Sequence, residues 1–150
     1  MSGMGVSAPA HRGQTTLGGL VPSSAVTRSE AALVAALAVE HHAEGAALPL
    51  LVLSMTPGML AWDPEQGLAV TDDAGTEYRV TTLSRQAGLG SLQVTAWLEP
   101  AVPVEVRDLH LRITGLVRVS SPRGGLGIPR PLQGGEWRLD VPLRPQRTAA

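Results

Sequence analysis

Two adjacent histidines, His41-His42, are the densest group of metal-ligating nitrogen in the chain. On a strand, neighbouring side chains point to opposite faces, so the pair cannot readily close on one ion. His11 falls in a segment without hydrophobic period, and His110 alternates with apolar residues on a solvent face. No metal site and no cofactor is expected from them. Asp72-Asp73, with Thr76 and Glu77, offers oxygens of the kind calcium takes, but a calcium site needs about six to eight ligands and this turn is too short to supply them. Its residues suit a tight turn instead. Ser54, Ser84 and Ser91 lie in no Gly-x-Ser-x-Gly context. The Gly-rich stretch at 124–135 lacks the Gly-Lys-Ser/Thr ending of a phosphate cradle. No catalytic constellation follows from these residues, and the chain is read as a non-enzyme.

Composition narrows the classes further. The 150 residues suffice for one domain with a core, and the net charge of -1 gives no general attraction to nucleic acid or anionic lipid. Cysteine is absent, so disulfides, thiolate zinc sites and thiol nucleophiles are excluded. Lys, Asn and Phe are absent as well, and all 12 basic residues are Arg. A GC-rich coding bias produces that pattern, so arginine abundance is no evidence of phosphate recognition. No apolar run reaches the ~18 residues of a membrane span, and the first residues lack a signal-peptide pattern; a cytoplasmic location is expected.

The elements that must position any site read as strands. Asp72-Asp-Ala-Gly-Thr-Glu-Tyr78 separates two alternating runs, with Asp opening the turn and Gly75 supplying positive φ. Leu92, Val94, Ala96 and Leu98 alternate with Gln93, Thr95, Trp97 and Glu99. Leu109, Leu111 and Ile113 alternate with His110 and Arg112, and Trp137, Leu139, Val141 and Leu143 with Arg138 and Asp140. Period two means one buried and one wet face. Residues 29–45 divide the signals: a Thr27-Arg-Ser-Glu30 capping box and alanines favour a helix. The alternation of Leu33, Ala35, Leu37 and Val39 favours strand–turn–strand, which is the reading adopted. Residues 1–28 are expected as a disordered or loosely attached arm, 29–143 as the β-domain, and 144–150 as a tail.

An apolar run, Asp72-Asp-x-Gly-Thr-x-Tyr78, a strand bounded by Leu98-Glu-Pro100, Leu109-x-Leu-x-Ile113 and Trp137-x-Leu-x-Val-Pro142 follow one another in that order. The order resembles uncharacterised bacterial immunoglobulin-like β-sandwich domains, some free-standing and others attached to membrane or anti-sigma-factor-like proteins. The resemblance spans about residues 31–143. It implies an all-β, two-sheet antiparallel sandwich of seven or eight strands, and its motifs are structural, so it carries no site residues.

Function is then expected at a surface. Residues 29–100 hold nine acidic and two basic side chains, residues 101–150 four and eight. Either the halves neutralise each other across sheets or Arg112, Arg118 and Arg138 form a basic face for an acidic partner or a second copy. Trp97 falls on the wet side of its strand. It is either an interface anchor or covered by a loop, the arm or a bulge. The expectation is a binding or assembly module with a protein partner or self-association, acting through a sheet face, a sheet edge or the 120–135 loop. The alternative is a small-molecule or enzymatic pocket under that Gly/Pro-rich loop.

Overall fold

Alternation along the chain becomes strand after strand. A computed structural model describes residues 17–120, 128–132 and 135–143. The strands are β1 (Leu17–Pro22), β2 (Val26–Arg28), β3 (Ala32–Ala36), β4 (Ala38–His42), β5 (Ala46–Ser54), β6 (Met59–Ala61), β7 (Leu68–Asp72) and β8 (Glu77–Gly88). They continue with β9 (Ser91–Glu99), β10 (Asp108–Thr114), β11 (Val117–Ser120), β12 (Ile128–Pro131) and β13 (Glu136–Pro142), and one short helix, α1 (Pro64–Gly67), precedes β7. The larger sheet runs β1-β4-β5-β9-β8-β7-β10-β13, with β3 also on β5 and β2 on β3; the smaller runs β12-β11-β6. The pairings are antiparallel, and the large sheet curls around its own core. No helix among the described residues is long and apolar enough to cross a membrane.

The core follows the expected faces of β9, β10 and β13. Leu92, Val94, Ala96 and Leu98 are buried, as are Leu109, Leu111 and Ile113, and Trp137, Leu139 and Val141, while Arg112, Arg138 and Asp140 are exposed. The β7–β8 hairpin also forms as expected. Asp72 Oδ1 accepts from the N–H groups of Ala74 and Thr76, both at 2.9 Å, and Gly75 takes φ 88°. Tyr78 is buried and its hydroxyl donates to Asp72 Oδ2 at 2.7 Å. Asp73 Oδ1 accepts from the N–H groups of Arg107 and Asp108, which ties the turn to the start of β10.

Three expectations are corrected. Residues 17–28 are not a loose arm: β1 lies on β4 and β2 on β3, and residues 1–16 fall outside the described residues. Strand–turn–strand is present at 29–45, but its buried face is Ala32, Val34, Ala36 and Val39, with Leu33, Ala35 and Leu37 turned outward. A bulge explains this. Ala36 lies opposite Leu50 and Glu40 opposite Ala47, so four steps on one strand (36 to 40) match three on the other (50 to 47). The extra residue sits beside Pro49, which has no N–H for the ladder; only its carbonyl is used, by the N–H of Leu37. Third, the irregular stretch expected at 120–135 contains β12, paired along β11. Residues 121–127, 133–134 and 144–150 lie outside the described residues.

Close packing fixes two connections. Trp62 Nε1 donates to Thr114 O at 2.7 Å, and a Cβ on Gly67 would fall 2.1 Å from that same carbonyl oxygen. Trp137 Nε1 donates to Ser29 Oγ at 3.1 Å, and Ser29 in turn receives the N–H groups of Ala31 and Ala32. The last strand thereby holds the turn that enters β3.

Gly67→Ala should therefore lower stability by about 1–3 kcal/mol, the usual cost of overpacking, measured by urea unfolding; an unchanged midpoint would contradict the packing described. Tyr78→Phe should cost about 1.5–3 kcal/mol, because it leaves a buried carboxylate oxygen without its donor. Burial pushes the Asp72 carboxyl up, but the Tyr78 hydroxyl and the Thr76 and Ala74 N–H groups outweigh this and hold it below its ordinary 3.8. Its contribution to stability is thus complete above pH 3.8 and is lost as pH falls through the folded-state value. Tyr78→Phe should flatten that acid limb, which unfolding curves at a series of pH values would show.

Candidate functional site

β10 is flanked by β7 on one side and β13 on the other, and its alternate residues divide between core and exterior. The outward residues of these strands and of the start of β8 line a cleft of about 800 Å³. Its charged residues are Glu65, Glu77, Arg79, His110, Arg112, Arg138 and Asp140. Period two supplies the polar lining over a buried inner face.

The register brings two of the expected interface residues together. Arg112 lies directly opposite Arg138, and His110 directly opposite Asp140. His110 Nδ1 and Asp140 Oδ1 are 2.7 Å apart. The bond to Asp140 raises the imidazole above its ordinary 6.5; burial opposes this, and the charges of Asp140, Asp108 and Asp73 add to it. Arg138 contacts Glu136 on its own strand, and Arg79 donates to Glu99 Oε1 at 2.5 Å. Arg112 makes no ion pair among the described residues. Like charges directly opposite on neighbouring strands destabilise a sheet, so a pair of guanidiniums here is a place where an anion would be favourable. Arg138 is already engaged by Glu136, so the guanidinium without an ion pair among the described residues is that of Arg112, whose planar fork suits a carboxylate or another oxyanion.

Arg118 belongs elsewhere. It is on β11 in the smaller sheet, where its guanidinium donates to Pro57 O at 2.9 Å and its stem packs against Gly58. A Cβ on Gly58 would come within 2.7 Å of Arg118 Cγ. It clamps the entry to β6 and does not extend the Arg112–Arg138 pair.

Trp97 is likewise not an exposed anchor. It is 1% exposed, although it does point away from the main core as the alternation requires. The β4–β5 turn folds over it: the His42 ring lies 5.4 Å away, and a Cβ on Gly45 would come within 2.7 Å of its six-membered ring. Glycine at 45 is what lets the turn approach so closely. His41 and His42 do face opposite ways; His42 is buried with Trp97 and its Nε2 is 3.7 Å from Glu40 Oε1. Burial, helped by the neighbouring His42, lowers the His41 pKa.

Sequence reasoning missed the cleft and the part played by His110 and Asp140. The signal was present as two alternating strands with polar residues of opposite sign, but their pairing depends on which strands become neighbours. The pocket expected under the 120–135 loop is not where this cleft lies, since none of its lining belongs to described residues of that loop. Comparison with known proteins adds no relative: no family model, no curated protein and no solved structure matches the chain.

His110 should titrate with a midpoint above 6.5, and Asp140→Asn should bring it back toward that value, as followed by the imidazole resonances in NMR. The stability it contributes is fully present below pH 6.5 and is lost as pH rises through the folded-state value. A midpoint indifferent to Asp140→Asn would remove the pair from the account of the cleft.

Proposed function

We propose that this chain is a non-enzymatic binding module that takes a carboxylate-bearing protein partner in the cleft over β7, β8, β10 and β13. The observation that carries the reading is the cross-strand pair Arg112–Arg138 in the lining of that cleft. An acidic side chain from a partner would offset the repulsion between the two and gain charge-assisted hydrogen bonds from both. Among the described residues, Thr71 is the one aliphatic hydroxyl in the lining; it lies opposite His110 on β7, and the Tyr78 hydroxyl is engaged by Asp72. The same proposal includes the immunoglobulin-like sandwich architecture, supported by the order of hairpin and strand motifs, and a cytoplasmic setting.

A second surface supports an interaction role independently. The outward faces of β2, β3 and β5 carry Val26, Leu33, Ala35, Leu37, Leu51 and Leu53, of which Val26, Leu37 and Leu53 are exposed. Apolar residues clustered on an open sheet face are a mark of contact surfaces.

A fluorescent poly-glutamate peptide is the direct probe of the cleft. It should bind at low salt, weaken as salt rises, and lose at least about tenfold in affinity (about 1.4 kcal/mol) in Arg112→Ala. Arg118→Ala should leave binding unchanged, because that residue is on the other sheet. Equal affinity in wild type and Arg112→Ala, or no binding at low salt, would sink the reading.

A further inference from the structure

The cleft carries its own competitor for Arg112. On the outer face, β10 and β13 set two rows side by side: His110 opposite Asp140, and Arg112 opposite Arg138. All four residues line the cleft. Asp140 is therefore one diagonal step from Arg112, about 7–8 Å across neighbouring strands, and Arg112 is the guanidinium that makes no ion pair among the described residues. A carboxylate at that range repels any other carboxylate that comes to Arg112. His110 holds this competitor, with Nδ1 and Asp140 Oδ1 2.7 Å apart. On its other side His110 lies opposite Thr71 of β7, which carries no charge.

We propose that His110 gates the cleft by its proton. The imidazolium neutralises Asp140 and leaves Arg112 to an acidic ligand; the neutral imidazole leaves the charge of Asp140 standing beside Arg112 and weakens the ligand's hold. The inference rests on the reading of the cleft as a site for a carboxylate-bearing partner, and adds the regulation of that site.

The groups around His110 fix the sign. Arg138, diagonal to it on β13, is engaged by Glu136, and Arg79 on β8 by Glu99, so neither is placed to offset Asp140. Asp108 on its own strand and Asp73 in the β7–β8 turn both favour the imidazolium. Glu77, opposite Thr71, and Glu65 of α1 add further negative charge to the lining. With His110 neutral, Arg112 is the one lining cation without an ion pair among the described residues, and it stands in a field of carboxylates. With His110 charged, a second cation occupies the next row. Its side chain is 44% exposed and that of Asp140 73%, so a proton reaches the pair without any opening of the fold. The bond to Asp140 places the exchange above the ordinary 6.5 of histidine. The gate is thus fully open below pH 6.5 and closes as pH rises through the folded-state value. Linkage is reciprocal, so a bound carboxylate must in turn favour the imidazolium and raise its midpoint further.

The test is the affinity of the fluorescent poly-glutamate peptide for the full chain, measured by anisotropy at fixed low salt from about pH 6 to about pH 8.5. The peptide's side chains, with an ordinary pKa of about 4.3, are ionised throughout. Wild type should bind at least about fivefold more weakly at the upper limit than at the lower. His110→Gln should bind weakly over the whole range, as wild type does at high pH. Asp140→Asn should bind at the upper limit as tightly as wild type does at the lower. The His110→Gln, Asp140→Asn double variant should bind tightly and without pH dependence, because the carboxylate that the imidazolium offsets has gone. All variants should keep the wild-type circular-dichroism spectrum. Wild-type affinity that ignores pH, a pH dependence that survives in His110→Gln, or a double variant as weak as His110→Gln would overturn the gate while leaving the cleft a site for acidic ligands. A peptide that binds at no pH would overturn both.

Discussion

A buried carboxylate sets the frame. Asp72 is 4% exposed, and an ionised group so placed is tolerated only when its oxygens are satisfied. Two turn N–H groups and the Tyr78 hydroxyl do this, and all of them come from the six residues that follow. The arrangement locks Val70 opposite Tyr78 and Thr71 opposite Glu77. β7 then aligns β10, with Leu109 opposite Asp72, and β10 aligns β13. A slip of one residue anywhere in that chain would turn Leu111 outward and bury Arg112. The cleft and its arginine pair are therefore downstream of one hairpin turn.

The sheet is two-faced, but its outer face is not uniform. Over β4, β5 and β9 it is covered locally, because the β4–β5 turn lies on Trp97 and Ala47 and Gly45 leaves room for it. Over β2, β3 and β5 it is apolar and open. Over β7, β10 and β13 it is charged and carries the cleft. The bulge beside Pro49 separates the first two zones by shifting the phase of β3 against β4. Where the C-terminal half of β8 leaves β7, Glu65 of α1 accepts the Thr82 N–H at 3.0 Å, so that edge is capped by a side chain. At the other end of the sheet, β2 comes close to β13, where Trp137 Nε1 donates to Ser29 Oγ.

Charge organisation gives these zones a common logic. The acidic excess of residues 29–100 and the basic excess of residues 101–150 are each paired within their own half: Arg79 with Glu99 and Arg85 with Asp63 in the first, Arg138 with Glu136 in the second. Basic residues of the second half also meet one another, as in Arg112 with Arg138. Electrostatic compensation is incomplete on β10, where Arg112 makes no ion pair among the described residues, while Arg138 on β13 is held by Glu136.

Much of the architecture was legible in the chain. Leu92 to Leu98, Leu109 to Ile113 and Trp137 to Leu143 alternate strictly, and a half-buried strand admits no other pattern. The Asp72–Tyr78 turn was legible because its chemistry is local: a carboxylate, a glycine and the N–H groups between them. Less was readable at Leu33–Val39, where a proline on a neighbouring strand imposed a bulge, and at Val26–Arg28, where three residues become a strand only because β3 lies alongside. Trp97 read as wet because its cover comes from a turn some fifty residues earlier in the chain. Residue types and period two determined that this is an antiparallel β protein and, on β9, β10 and β13, which side chains point away from the core. Strand order alone decided that Arg112 meets Arg138, His110 meets Asp140 and β13 ends the sheet, because contact between strands is a long-range property that no local pattern encodes.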